Sequence, residues 1–232
     1  LNQGIFLEET IRFVLMQGYP NLEYILIDGG STDGTSSILE RYRHRFAFCV
    51  SEKDKGQSDA LNKGFRQATG EILAWLNSDD RYLPWTLVRV AMAFDQYGPD
   101  MVAGGCELVH GFEKKPFHRH HNAMPVGEVV PLPVDRLLDI DGSWQKGDFF
   151  FQPEVFWTQE IWRRSGGEID GSLYYSMDYD LWVRMALAGA GIVHVPDVLA
   201  LFRVHGEQKT HGDLPFLAEL QQVSRKHRGE RG

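Results

Sequence analysis

The residues most suited to chemistry follow a short apolar run. Ile72 to Leu76 leads directly into Asn77-Ser78-Asp79-Asp80, ahead of Pro84. Adjacent carboxylates at the end of a strand repel one another, and a divalent cation such as Mg²⁺ or Mn²⁺ relieves that repulsion, above all where it also holds a diphosphate. Alternatively, Asp79 and Asp80 only cap the helix that Pro84 starts. This stretch alone leaves both interpretations open.

Two further segments carry groups that could face a ligand at one edge of a sheet. Asp28 ends the apolar run LEYILI, and it would lie on the same edge as Asp79 if both strands are parallel members of one sheet. A lone Asp there also fits ordinary turn chemistry. Gly56 and Gln57 open a helix that carries Asp59 in its first turn, and the glycine lets a ligand approach the backbone at the amino end of that helix.

A carboxylate also stands in the first turn of the segment 177–185. On a helix, Asp178 shares a face with Leu181, Trp182 and Met185, so we expect it to point inward, whereas Asp180 does not share that face. The positive end of the helix dipole favours an ionised side chain there, which is the form that a general base requires. The alternative is that Asp178 caps the helix or forms a salt bridge with an arginine.

The elements that must position these residues alternate along the chain. Apolar periodicity predicts helices within 1–18, around 38–42, and at 58–68, 84–97, 158–164 and 176–188, and strands at 22–27, 46–50, 71–76 and 101–104. This order predicts an α/β fold with a mainly parallel sheet, which binds ligands at the carboxyl ends of its strands. We expect an elaborated loop region with room for a β-hairpin over 106–147, and two short strands over 192–204.

The run His118-Arg119-His120-His121 has the residue types of a transition-metal site. Its spacing does not bring the ligands onto one face, and it lies among prolines in the least periodic part of the chain. We therefore expect a mobile loop there.

Composition limits the class of protein. The 232 residues carry 24 basic and 32 acidic side chains, a net charge of −8, and 43% of them are hydrophobic, as in a soluble globular protein. The acidic balance argues against a nucleic-acid or anionic-membrane binder. Cys49 and Cys106 lie in apolar contexts and are expected to be free thiols in a reducing compartment. No apolar run approaches the length of a membrane span, and no signal peptide is recognised.

Taken in order, these segments resemble the family-2 glycosyltransferases of the GT-A fold. The resemblance runs from NQGIFLEETI through YPNLEYILIDGGSTDGT, EKDKGQSDALNKGFRQATGEILAWLNSDD, FFFQPEVFWTQEIW and GGEIDGSLYYSMDYDLWVRMALAGAG to FRVHGEQKT. It implies a Rossmann-like central sheet flanked by helices in one domain over 1–232, with 1–105 binding the nucleotide sugar and 106–232 forming the acceptor side. Relatives begin with a strand that would end where this chain begins, so that strand is expected to be missing.

The resemblance also implies roles on the donor side. The family's Asp at the end of the second strand contacts the pyrimidine base, which corresponds to Asp28. The family's D-x-D motif binds the metal and the ribose and diphosphate of the donor. Asp79 and Asp80 inherit that role, with Asn77 in place of the first acid. A late His that joins the metal in some relatives corresponds to His205.

On the acceptor side, the family's catalytic base is the Asp of a Glu-Asp pair that opens a helix. Asp178 matches it, with Met177 in place of the usual Glu. The segment with Gln152 and Trp157, together with Trp144, resembles the aromatic acceptor wall. Core packing is the alternative interpretation of these aromatic side chains.

The activity that the resemblance implies is inverting transfer of a sugar from a UDP- or dTDP-linked donor, with Mg²⁺ or Mn²⁺. The acceptor would be a saccharide or a lipid-linked saccharide in polysaccharide or glycoconjugate synthesis. Such an enzyme would be cytoplasmic, and a lipid-linked acceptor would bring it to the inner face of the membrane. The alternatives are a sugar-nucleotide nucleotidyltransferase and a non-catalytic nucleotide-sugar-binding or carbohydrate-binding domain.

Overall fold

The structure is a computed structural model that describes residues 1–206, 208–209 and 213–229. Its helices are α1 Gly4–Leu15, α2 Thr35–Tyr42, α3 Gln57–Gln67, α4 Thr86–Tyr97, α5 Val134–Leu138, α6 Gln159–Arg164, α7 Met177–Leu187 and α8 Asp213–Gly229. Its strands are β1 Ile25–Asp28, β2 Phe48–Ser51, β3 Ile72–Leu73, β4 Arg81–Tyr82, β5 Met101–His110, β6 His118–His120, β7 Val129–Pro131, β8 Val155–Thr158 and β9 Gly191–Val204. The α/β class predicted from the sequence is confirmed.

Within the described ranges, the strands form two sheets. β1 and β2 pair in parallel, and the larger sheet has the order β3-β8-β5-β9-β4, with β6 added to β5 and β7 added to β9. β5 and β9 are parallel, whereas the other pairs of the larger sheet are antiparallel. That sheet is thus mixed where we expected mainly parallel pairing. One reason is that β6 follows β5 after the short segment 111–117, and a parallel crossover needs a longer connection.

The last strand differs from the prediction of two short strands over 192–204. β9 is continuous because it pairs with β5 along most of its length, from Met101 opposite Ile192 to His110 opposite Val204. The register shifts between Ala103 and Gly105, which accommodates the extra residues around Pro196 as a bulge. A long-range partner therefore keeps β9 intact across a proline that reads locally as a break.

The histidine-rich run is also ordered. His118–His120 forms β6 against β5, and the buried ring of His120 has Nε2 2.7 Å from the carbonyl oxygen of Phe149. The prediction of a mobile loop at 118–121 is therefore wrong. Pairing with β5 supplies the order that the local sequence does not indicate.

A large apolar core lies between the mixed sheet and helices α7 and α8. Its centre is aromatic: the ring of Trp157 lies 5.5 Å from that of Trp75 and 5.4 Å from that of Trp182, measured between centroids. α8 covers the core with Leu220 and Val223. Across the described ranges, no helix combines the length and the apolar character needed to cross a bilayer. Cys49 and Cys106 are both free, as predicted.

Candidate active site

The turn that carries the acidic residues is held from behind by α1. The amide of Asp80 donates to the carbonyl of Asn77, which closes the turn. The hydroxyl of Thr10 lies 2.9 Å from the carbonyl oxygen of Ser78 and 2.7 Å from that of Asp80. Sequence reasoning missed Thr10, although a threonine on the apolar stripe of α1 was a usable signal.

Asp79 faces outward and meets His205. Oδ2 of Asp79 lies 2.9 Å from Nε2 of His205, and the two side chains are 16% and 10% exposed. A carboxylate oxygen and an imidazole nitrogen this close together can ligate one divalent cation, and the carboxylate is a ligand that suits Mg²⁺ or Mn²⁺. Within the described residues, no group of three or more His, Cys, Asp or Glu side chains surrounds a metal position. A bound cation would therefore take its other ligands from water or substrate, as Mg²⁺ commonly does at phosphate sites.

Asp80 faces the opposite way, so the expectation that it binds the metal does not fit. Its side chain is 1% exposed, and Oδ1 accepts the main-chain N–H of Arg203 at 2.9 Å. Oδ2 lies 3.4 Å from the amide nitrogen of Asn77. Burial, reinforced by the charge of Asp79, raises the pKa of Asp80 well above its usual range. Asp80 thus ties the acidic turn to β9.

The amino end of α3 lies beside the acidic turn. The side-chain amide of Gln57 donates to Oδ1 of Asn77 at 2.9 Å. Gly56 has a φ of +117°. Apart from its chain neighbours and its own helix, no heavy atom of the described residues lies within 4 Å of where a Cβ would stand. The glycine therefore leaves the backbone open to a ligand at the positive end of the helix.

The carboxylate of Asp59 is engaged by two lysines near the start of α3. Its Oδ2 accepts the main-chain N–H of Lys55 at 3.1 Å and lies 3.5 Å from Nζ of Lys63. The hydrogen bond from Lys55 lowers the pKa of Asp59. These contacts tie Asp59 to the segment that enters α3 and to Lys63, and no nucleotide sugar is needed to explain them.

Asp28 ends β1 as predicted and is held rigidly. Its carboxylate accepts the hydroxyl of Ser51 at 2.6 Å and the main-chain N–H of Ser31 at 2.9 Å, as well as the hydroxyl of Ser31. Burial raises the pKa of Asp28, but these hydrogen bonds together outweigh burial and leave the pKa below its usual value. Asp28 is therefore an ionised acceptor near neutral pH, suited to an N–H of a ligand.

Asp178 stands in the first turn of α7, with its side chain partly exposed and Oδ1 accepting the main-chain N–H of Tyr179 at 2.8 Å. Burial raises its pKa to about 6, and repulsion from Glu219 acts in the same direction. A carboxyl group with that pKa is mostly ionised at neutral pH and can still accept a proton during a reaction.

The expected orientation of Asp180 is wrong. Asp180 is fully buried, with Oδ2 2.7 Å from Nε of Arg184 and Oδ1 2.9 Å from Nε2 of His227. Periodicity marked only one inward face of α7. The helix is covered on a second side by α8, whose packing the local sequence does not reveal.

The amino end of α3 also contacts the region that leads into α7. Oγ of Ser58 lies 3.4 Å from Sδ of Met177, and the side-chain amide of Asn62 exchanges two 2.8 Å hydrogen bonds with the main chain of Ile169. Lys209 interacts electrostatically with both Asp54, just before α3, and Asp178. The start of α3 thus lies between the acidic turn and the start of α7.

The three predicted acceptor residues are all buried, Trp144 included. Trp157 is fully buried in the aromatic core, so the prediction that it lines an acceptor site is wrong. Gln152 is buried, and its amide donates to the carbonyl of Trp75 at 2.7 Å, while its Oε1 has no hydrogen-bond partner among the described residues. Trp144 packs edge-on against Tyr179 at 4.8 Å between centroids, next to Asp178 in the chain.

Sequence reasoning also missed Glu219 of α8. Its carboxylate accepts the main-chain N–H groups of Tyr174, Tyr175 and Ser176 at 2.9, 2.6 and 2.6 Å, immediately before α7. The polar tail gave no sign of this role, because the contact joins segments more than 40 residues apart.

Comparisons with known proteins agree with this architecture. The model of the family described as "Glycosyl transferase family 2" matches residues 1–166. An uncharacterized glycosyltransferase of Rickettsia typhi is 28% identical over 228 residues, which is 95% of this chain and 66% of the relative.

Two solved structures share the fold. S. aureus TarS 1–349 in complex with UDP-GlcNAc has a TM-score of 0.70 at 17% identity, covering 96% of this chain and 62% of that one. The mannosyltransferase PcManGT of Pyrobaculum calidifontis, in complex with GDP-Man and Mn²⁺, has a TM-score of 0.67 at 20% identity, covering 100% of this chain and 62% of that one. The chain thus spans less than two thirds of each of these three proteins. Since the family model covers well over half of its residues, the chain belongs to glycosyl transferase family 2.

Proposed function

We propose that the protein is an inverting glycosyltransferase that moves a sugar from a UDP- or dTDP-linked donor to a hydroxyl of a saccharide or lipid-linked acceptor, in polysaccharide or glycoconjugate synthesis. One observation carries the proposal: the open amino end of α3 lies between the Asp79–His205 pair and Asp178. A donor bound there would have a cation site on one side and a base on the other.

On the donor side, Asp28 accepts an N–H of the pyrimidine base, and Gly56, Gln57 and Asn77 face the ribose and diphosphate. Asp79 and His205 would hold Mg²⁺ or Mn²⁺, which when bound acts as a Lewis acid and stabilises negative charge on the departing diphosphate. The Mn²⁺ named with GDP-Man in the PcManGT complex supports a cation beside the diphosphate, and the UDP-GlcNAc in the TarS complex supports a uridine-linked donor.

On the acceptor side, Asp178 takes the proton of the acceptor hydroxyl while the oxygen of that hydroxyl forms a bond to the anomeric carbon. The bond from that carbon to the diphosphate oxygen breaks as the new bond forms. Attack from the face opposite the diphosphate inverts the anomeric configuration. The raised pKa of Asp178, about 6, fits a base that works near neutral pH.

We also propose that residues 1–232 act as one glycosyltransferase domain, in which 1–105 bind the nucleotide sugar and 106–232 form the acceptor side. Trp144 is buried against Tyr179, so it would support the wall of that side from within and would not present an open ring to the acceptor. The free thiols of Cys49 and Cys106 favour a cytoplasmic location, where a lipid-linked acceptor would lie at the inner face of the membrane.

A thermal-shift panel of nucleotide sugars with and without Mn²⁺ tests the donor site, and a product assay tests the reaction. We expect one pyrimidine donor to raise the melting temperature in a Mn²⁺-dependent way, and nucleoside diphosphate to be released on turnover. Indifference to every nucleotide sugar would overturn the proposal. Pyrophosphate release from a nucleoside triphosphate would identify a nucleotidyltransferase instead, and donor binding without turnover would identify a binding domain.

A further inference from the structure

Arg203 is an arginine on β9 whose guanidinium group is enclosed by protein. It is 1% exposed, although its charge and its position near the acidic turn would suit a phosphate ligand on the surface. Its Cζ lies 4.6 Å from the ring centroid of Phe6 and 5.5 Å from that of Phe112. Aromatic rings of this kind stabilise the cation and keep it from the solvent. An arginine enclosed in this way is suited to holding protein groups in place.

The side chain of Arg203 joins three segments that meet behind the acidic turn. Nε donates to the carbonyl oxygen of Asp79 at 2.7 Å. Nη1 donates to the carbonyl oxygen of Gly111, in the connection after β5, and Nη2 pairs with the carboxylate of Glu9 on α1. A planar guanidinium can make these three bonds in different directions at once, which the single ammonium group of a lysine cannot reproduce.

The main chain of Arg203 holds the second acid of the turn. Its N–H donates to Oδ1 of Asp80 at 2.9 Å, so one residue fixes the backbone of Asp79 and the carboxylate of Asp80. Two residues further on is His205, whose Nε2 lies 2.9 Å from Oδ2 of Asp79. Arg203 is therefore hydrogen-bonded to one candidate metal ligand, Asp79, and lies two residues before the other, His205.

We propose that Arg203 is a positioning residue that fixes Asp79 relative to His205 and thereby sets the affinity of the site for a divalent cation. This inference rests on the proposed function, because it takes the Asp79–His205 pair as the cation site. Groups that orient metal ligands in this way typically change metal affinity about 10- to 100-fold when they are replaced.

The test measures Mn²⁺ binding, with and without UDP, by electron paramagnetic resonance of free Mn²⁺, alongside the melting temperature without metal. Arg203→Lys keeps the charge and loses the three-way bonding, and we expect Mn²⁺ to bind about 10-fold more weakly or worse. Arg81→Lys is the matched control. Arg81 pairs with the same Glu9, but the hydrogen bond to the carbonyl of Asp79 comes from Arg203. We expect the Arg81→Lys variant to keep wild-type Mn²⁺ affinity.

Glu9→Gln serves as the second variant, should Arg203→Lys not fold. It removes the charge that anchors Nη2 and leaves an oxygen acceptor, so we expect a smaller loss of Mn²⁺ affinity that still exceeds the loss in Arg81→Lys. The inference is overturned if Arg203→Lys binds Mn²⁺ as tightly as the wild type, or if Glu9→Gln binds it as tightly as Arg81→Lys. Either result would leave the proposed cation site intact. If instead the wild type binds Mn²⁺ no better than Asp79→Ala, the proposed cation site fails and the role of Arg203 fails with it.

Discussion

Asp178 and Asp180 lie on the same turn of α7 and show how environment divides roles between like residues. Asp178 is partly exposed at the start of the helix, and burial raises its pKa to about 6. For Asp180, burial also raises the pKa, but the bonds from His227 and Arg184 outweigh it and leave the pKa below its usual value. The sequence resemblance identified Asp178 as the candidate base. Helical periodicity wrongly predicted that Asp178 points inward and Asp180 does not, because it contains no information about the packing of α8.

Replacing the candidate base should separate binding from turnover. We expect Asp178→Asn to lower the rate of nucleoside diphosphate release about 10²- to 10⁴-fold, because a base that accepts a proton contributes that much to rate. Donor affinity, measured by calorimetry, should remain close to wild type. Asp95→Asn, an exposed carboxylate on α4, is the control. Wild-type turnover in Asp178→Asn would contradict the assignment.

The pH dependence of the reaction follows from the same group. The base works only when it is ionised, and a pKa of about 6 means that the ionised fraction of Asp178 grows as the pH rises through 6. We therefore expect kcat/KM to increase between pH 5 and 7 and to level off above that. The check is a pH–rate profile at fixed Mn²⁺, and a profile that is flat over this range would rule out the carboxyl group as the base.

The imidazole beside Asp79 should control the response to metal. We expect His205→Ala to reduce the Mn²⁺-dependent rise in melting temperature, because one of the two candidate ligands is lost. EDTA should abolish that rise in the wild type. His44→Ala, on the surface after α2, is the comparison. An unchanged response in His205→Ala would show that this residue does not bind the cation.

At the scale of elements, local pattern predicted the structure where neighbours in sequence decide it. α1, α3, α4 and α7 match periodic stretches, and β1 ends at Asp28 as expected. The long β9, the order of β6 and the burial of Trp157 were not predicted, because each depends on a partner distant in the chain. The amino end of α3, which lies at the centre of the candidate site, was predicted to within one residue: the sequence predicted a helix from residue 58, and α3 begins at Gln57.

The two bonds between Asn62 and Ile169 fasten α3 to the loop before α7. We expect Asn62→Ala to lower the free energy of unfolding by about 1–3 kcal/mol, since the main-chain groups of Ile169 lose both partners. Turnover should fall as well, because the loop leads to Asp178. Denaturation by urea and rate measurements check both effects. Asn21→Ala, at an exposed loop position, should change neither, and equal behaviour of the two variants would contradict this role for Asn62.

At the scale of the whole molecule, α8 fixes both the start of α7 and its buried side. Its Glu219 binds the main chain ahead of α7, and its His227 pairs with the buried Asp180 at 2.9 Å. The family model ends at residue 166, so the candidate base, His205 and α8 all lie beyond the matched stretch. The contacts of α8 join residues more than 40 positions apart, so local sequence patterns could not predict them.

Removing the buried charge at this junction should destabilise the molecule. We expect Asp180→Ala to lower the free energy of unfolding by about 3–5 kcal/mol, because the buried ion pairs of Asp180 with Arg184 and His227 are broken. The pKa of Asp180 is lower in the folded state than in the unfolded state. Its contribution to stability is therefore fully present when the pH is above the pKa of the unfolded state, and it is lost as the pH falls through the pKa of the folded state. Urea titrations at neutral and acid pH measure this. A loss no larger than in Asp95→Ala would contradict it.

We propose that the acidic turn and the start of α7 act on one bound nucleotide sugar, across the amino end of α3. A crystal structure with Mn²⁺ and a pyrimidine nucleotide sugar tests it most directly. We expect the cation to contact Asp79 and His205, and the carboxylate of Asp178 to face the anomeric carbon from the side opposite the diphosphate. A sugar bound with its anomeric carbon turned away from Asp178, or a cation held elsewhere, would contradict it.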